Sequence, residues 1–375
     1  MTSIRGAEMV DWNLAVATAT RLVRPGPEVS RDEARAVVAE LRRHAKSSEE
    51  HVRSFTRMGS EDTHDTPVLV VDRAGWVRAN VAGFREILKP LLDKMQDKRG
   101  SSPGGAVLGA VGGKVTGVEL GMLLSFLASR VLGQYETFAP PTRDLPAGAN
   151  GGGRLLLVAP NIVHVERELD VDPHDFRLWV CLHEETHRTQ FTAVPWLRDH
   201  LEGEIQSFLG ETEVDPMTVL ERVREAAQSL AGGRTDAEGE EAEGGRSLVE
   251  LVQTPAQREI LARLTAVMSL LEGHADFVMD GVGPDVVPSV AEIREKFQQR
   301  RARGASRLDQ ALRKLLGLDA KLRQYRDGER FVRAVVEQVG MDGFNRVWTS
   351  PNTLPTKAEI AKPADWVARV HRKGD

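Results

Sequence analysis

The chain has 375 residues, enough for a large core in one or two domains, and 50 Lys and Arg against 55 Asp and Glu leave a net charge of −5. That balance gives no basis for binding nucleic acid. A single cysteine, Cys181, excludes an intramolecular disulfide framework and points to a reducing compartment; Glu8 and Asp11 interrupt the N-terminus before any apolar run, so no secretory signal is read and a cytoplasmic location is expected.

Residues 11 to 58 carry helical patterns. Ser30 with Asp32 and Glu33 makes a cap-like start, and Ala34, Val37, Val38 and Leu41 follow at helical spacing. Pro67 to Asp72 reads as a short strand, and Phe84 to Met95 returns to helix. No chemical motif lies in this N-terminal helical region, taken as residues 1–103. The stretch Gly104 to Leu132 is rich in small and apolar residues, including Gly109, Gly112, Gly113 and Gly117. Lys114 and Glu119 leave fewer uncharged residues than a bilayer span needs. Small residues at near-helical spacing let helices approach closely, so a buried helix pair is expected and no stable membrane span.

Residues 154 to 165 are β-prone, and Pro160 demotes them to an edge strand, which an extended peptide could join as a further strand. A helix follows: Asp172 suits its N-cap and Pro173 its first position, where the missing N–H would be unpaired anyway. Phe176, Val180, His183 and His187 fall at i, i+4, i+7 and i+11, so the two histidines extend the apolar stripe. With Glu184 they form His183-Glu184-Glu185-Thr186-His187, an H-E-x-x-H. Two imidazoles one turn apart suit a tetrahedral Zn²⁺ that takes a third protein ligand and keeps one position for water, with Glu184 as general base. Cys181, beside the stripe, reads as a packing residue.

Residues 231 to 246 lack any aliphatic residue larger than Ala and read as a mobile loop. Beyond it Ile260, Leu264, Val267, Met268 and Leu271 repeat at three and four, carrying a helix into Glu272, His274 and Asp276. The motif helix has the arrangement of the zincins, and Glu272 with Asp276 resembles the E-x-x-x-D of the gluzincin type, in which Glu binds the metal and Asp holds the outer N–H of a ligating histidine. The same spacing occurs at Glu61/Asp65, Glu166/Asp170, Glu168/Asp172 and Glu211/Asp215. The first three precede the motif and the last abuts Pro216, which leaves Glu272 as third ligand and Asp276 as outer carboxylate. His274 is the rival ligand, but it sits about 200° around the helix from Glu272 and reads better as a core or outer-shell histidine. Gly281-Val-Gly-Pro284 ends this helix. Further helices follow, with Tyr325 a candidate donor to the oxyanion of a tetrahedral intermediate. The tail, with Trp348, Pro351, Pro355, Pro363 and Trp366, reads as an extended arm packed on the body.

Taken together, VLGQYETFAP, LLLVAPNI, HEETHRTQF, LEGHADFVMD, LRQYRDGERFV and NTLPTKAEI resemble a bacterial zincin-like family of unknown function. Its members are variously labelled hydrolases, zinc-dependent metalloproteases or proteins associated with deazaflavin-cofactor biosynthesis. The resemblance covers roughly residues 104–375. It implies a mainly α (α+β) fold, with a zincin-like metal-binding core, a small β-sheet and the N-terminal helical region. The expected activity is zinc-dependent cleavage of a peptide or small amide substrate. Active zincin peptidases generally have uncharged residues where this chain has Glu185 and Arg188, which supports an alternative: a binding or scaffold protein that keeps its zinc site without catalysis. Those two charges are expected to pair at i, i+3 on the flank facing away from the metal, worth about a few tenths of a kcal/mol. A third reading, an enzyme of cofactor metabolism acting on a small substrate, has no nucleotide-binding glycine turn to support it.

Overall fold

The computed structural model describes residues 10–59, 66–99, 105–138, 153–211, 254–302 and 318–371. The loop expected at 231–246 lies outside the described residues. Two helices open the chain, α1 (Trp12–Leu22) and α2 (Arg31–Thr56). Asp11 and Ser30 cap them by accepting from the backbone N–H of Leu14 and Glu33. The short strand β1 (Val68–Val71) forms as expected. The helix after it, α3 (Arg73–Arg99), starts well before Phe84, because Asp72 accepts from the N–H of Gly75 at 2.6 Å and Trp76, Val77 and Val81 are already buried.

The stretch of small residues is one helix, α4 (Gly105–Ala128), and the helix it pairs with is α1. A Cβ at Gly117 would fall 2.6 Å from the Asp11 carbonyl oxygen, and one at Gly121 would fall 2.6 Å from Thr18 Cβ, so glycine sets the approach. Among the described residues no helix is long and apolar enough to cross a membrane.

Among the described residues two further strands, β2 (Gly133–Glu136) and β3 (Arg154–Val158), join β1 in a sheet of order β1-β3-β2. β1 runs parallel to β3, with Val68 opposite Leu155, and β2 runs antiparallel, with Gly133 opposite Leu157. This corrects the reading of residues 154 to 165 as an edge strand. The strand ends at Val158 and is central, with Leu155, Leu156, Leu157 and Val158 fully buried. Pro160 lies in the first turn of α5 (Ala159–Leu169), where a missing N–H costs nothing.

The motif helix α6 (Pro173–Ala193) and α7 (Leu197–Gly210) follow. After the gap come α8 (Pro255–Gly281), α9 (Val290–Ala302) and α10 (Leu318–Phe344). The tail is not an extended arm. It folds into two 3₁₀ turns (Asn345–Trp348 and Pro351–Thr353) and two short helices, α11 (Lys357–Ala361) and α12 (Pro363–His371). Pro351 and Pro363 begin elements here, and Trp366 is fully buried, with its indole N–H donating to the Thr353 carbonyl at 2.8 Å.

Helix α6 lies between α2 and α8. Leu41, Ala45 and Val52 from α2 share a core with Phe176, Trp179 and Cys181, to which Val278 and Met279 of α8 also belong. A second core joins the other side of α8 to α10 and the tail through Leu270, Phe331, Phe344, Trp348 and Trp366. The result is a mainly helical protein with a small sheet, in which elements from before residue 103 cover one flank of the motif helix.

Candidate metal centre

Asp172 accepts from the N–H of Asp175 at 2.9 Å and Pro173 opens α6, as the sequence predicts. Eleven residues along, His183 and His187 face each other with ring centroids 4.8 Å apart at 87° and Nε2 atoms 3.3 Å apart. Glu272 reaches in from α8: its Oε2 is 3.7 Å from His183 Nε2 and its Oε1 3.7 Å from His187 Nε2. Tetrahedral coordination with bonds of about 2.0–2.1 Å separates ligand atoms by about 3.3–3.4 Å. Two imidazole nitrogens with the two oxygens of one carboxylate turned towards them, one ligand atom of each residue lying within 4.8 Å of the others, make a donor set that suits a zinc ion.

The outer nitrogens are held separately. Nδ1 of His183 lies 3.5 Å from Asp276 Oδ1 and 3.0 Å from Met279 Sδ. Nδ1 of His187 lies 3.0 Å from Gln190 Oε1. Asp276 is therefore beside His183 and not His187. His274 does not reach the cluster: it is fully buried, packed on Phe344 and Trp348, with Nδ1 3.1 Å from Gln190 Nε2. Burial and the neighbouring His187 push its pKa down to about 3, so it is neutral.

Charge in the cluster is unbalanced. Burial pulls the pKa of His183 down, but the hydrogen bond to Glu272 and the charges of Asp276 and Glu184 outweigh it and push it up to about 9. His187 is lowered, first by burial. Three carboxylates thus face two imidazoles, an excess of negative charge that a divalent cation offsets. Glu184 is 6% exposed, and burial, reinforced by the charge of Glu272, pushes its carboxyl up to about 7.

The strand edge over this site is β2, not residues 154 to 165. A Cβ on Gly133 would fall 2.5 Å from Cγ and Cδ of Glu184, so the absence of a side chain there lets the carboxylate lie against the strand. Sequence reasoning missed Gly133, Gln190 and Met279. The helical spacing of Gln190 from His187, i to i+3, was the signal available for the second. Tyr325 lies in α10, and its side chain is outside the described residues.

Glu185 and Arg188 do point away from the cluster, but not to solvent. Their side chains are 1% and 5% exposed and pair at 3.0 Å. Arg188 also meets Glu49 of α2 at 2.8 Å and donates to the Thr66 carbonyl at 3.2 Å. The pair expected at i, i+3 forms, but as part of a buried network and not a pair of small worth, because α2 covers this flank. Cys181 is buried 3.8 Å from the Leu41 carbonyl, and burial pushes its thiol pKa well up, in keeping with packing.

A family profile described as zincin-like metallopeptidase matches residues 10–367. The crystal structure of a presumptive hydrolase with a novel fold from Chloroflexus aurantiacus is similar at a TM-score of 0.67 and 31% identity, covering 97% of this chain and all of that one. No curated protein matches the chain.

Proposed function

The chain belongs to the zincin-like metallopeptidase family, and from that premise we propose that it is a cytoplasmic zinc-dependent hydrolase of peptide or small amide bonds. The observation that carries this reading is the convergence of His183, His187 and Glu272, with one ligand atom of each within 4.8 Å of the others, beside the buried carboxylate of Glu184. His183, His187 and Glu272 would hold the zinc, which when bound would supply Lewis acidity to a water and to a substrate carbonyl. Glu184 takes the proton of the attacking water on its carboxylate and returns it to the departing nitrogen. Asp276 and Gln190 hold the outer nitrogens of the two histidines and keep both Nε2 atoms directed inward. The edge of β2, against which Glu184 lies, is where an extended substrate can add as a strand.

The charges of Glu185 and Arg188, which in the sequence favour a binding protein without catalysis, are engaged with α2. That supports the catalytic reading. Purified protein should contain zinc, and His183→Ala should lose the ion that His183, His187 and Glu272 would hold. Glu184→Gln should keep the metal and lower turnover on a peptide library about 100-fold or more. Absence of zinc binding sinks the reading; zinc binding with turnover indifferent to Glu184→Gln leaves the scaffold alternative standing.

A further inference from the structure

A second set of metal-ligating side chains lies where α2 meets the first turn of α6. His174 is nine residues, about 13.5 Å of helix, before His183. Glu40 and His44 are one turn apart on α2, and one ligand atom from each of Glu40, His44 and His174 lies within 4.8 Å of the others. The imidazoles of His44 and His174 meet with centroids 4.6 Å apart at 85°, closely repeating the 4.8 Å and 87° of His183 and His187.

Three observations separate this cluster from ordinary helix packing. His44 is 7% exposed, and its Nε2 makes no hydrogen bond; the nearest carboxylate oxygen, Glu40 Oε1, is 3.5 Å away. A ring contact alone leaves that buried nitrogen unsatisfied, at a cost in free energy. His174 Nδ1 lies 3.5 Å from Asp175 Oδ1, the same separation as His183 Nδ1 from Asp276 Oδ1, so a carboxylate takes its outer N–H and leaves Nε2 as the donor to a metal. Glu40 Oε2 is tied to Arg177, which is itself paired with Glu166, and this leaves Oε1 to turn inward.

We propose that Glu40, His44 and His174 form a second metal site, for a divalent ion of the zinc class, which clips α2 to the start of α6. Two imidazoles and one carboxylate are donors that such ions accept, with the remaining position left to water. The side chain of His174 is 63% exposed and gives the ion a route from solvent. The site is independent of the chemistry proposed for His183 and His187.

The test is calorimetric titration of metal-stripped full-length protein with Zn²⁺ alone, followed by thermal denaturation at one and two equivalents. Two equivalents should bind, with a further rise in Tm on the second. His174→Ala, a change at an exposed side chain, should remove one equivalent and that second rise, and Glu40→Gln should weaken the same equivalent at least tenfold. His183→Ala should remove only the other equivalent, so failure at one site is read separately from failure at the other. The proposal is overturned if His183→Ala abolishes all binding, or if His174→Ala binds zinc with the stoichiometry and affinities of the unaltered protein.

Discussion

Gln190 fixes the tautomer of His187. The Gln190 amide nitrogen is 2.9 Å from the Leu271 carbonyl, which can only accept, so the amide oxygen must be the atom that faces His187 Nδ1 at 3.0 Å. Nδ1 therefore carries the proton, and the Nε2 lone pair points at Glu272. The same amide donates to His274 Nδ1, which places the proton of that neutral ring on Nε2. His274 thus contacts Gln190 and lies outside the group formed by His183, His187 and Glu272.

Gln190→Ala removes this anchor. Zinc affinity, measured by competition with a chromophoric chelator, should fall about 10- to 100-fold. The buried Leu271 carbonyl and His274 also lose a donor, so stability should drop by about 1–3 kcal/mol. Unchanged affinity would show that the ring needs no such support.

Asp276 and Glu272 should separate by degree. Asp276→Ala leaves all three proposed ligands in place and should weaken zinc about 10- to 100-fold, whereas Glu272→Ala removes a ligand and should weaken it more. Metal content by atomic spectroscopy decides the order. If His274→Ala abolishes binding while Glu272→Ala retains it, the third ligand is misassigned.

Gly133→Ala tests the contact between β2 and Glu184. The added methyl would overlap Glu184 Cγ and Cδ at 2.5 Å, and the flexible carboxylate side chain gives way more readily than the strand. Turnover should fall on the order of 100-fold with zinc retained, since general-base catalysis depends on hydrogen-bond reach. Loss of zinc together with turnover would point to wider disruption.

Arg188→Ala leaves Glu185 buried without its cation, and the Glu185 carboxyl, already pushed up to about 7 by burial despite Arg188, would be left neutral or uncompensated. Removing one partner of a buried pair costs about 3–5 kcal/mol. Urea denaturation should detect it. A loss below about 1 kcal/mol would show that the pair, though buried, contributes no more than an exposed one.

The local pattern of each element was legible in the sequence, because it resides in single helices. The Asp172–Pro173 start and the i, i+4 spacing of His183 and His187 need only the α-helical repeat. The choice of Glu272 and Asp276 rested on their order along the chain and on a helical stripe that continues to Leu271. What faces each element was decided by the tertiary structure. Residues 154–158 became a central strand because β1 and β2 arrive on both edges, and nothing in those five residues encodes how many partners a strand has. Pro160, Pro351 and Pro363 serve as element starts and not as breaks, a distinction that depends on whether the following residues find a surface to pack on. Glu185 and Arg188 are buried because α2, more than a hundred residues earlier, covers them. Gln190 reaches His187 and His274 at once only because α6 and α8 are side by side. Periodicity records which face of a segment is apolar; which distant segment covers that face is set by the packing of the whole chain.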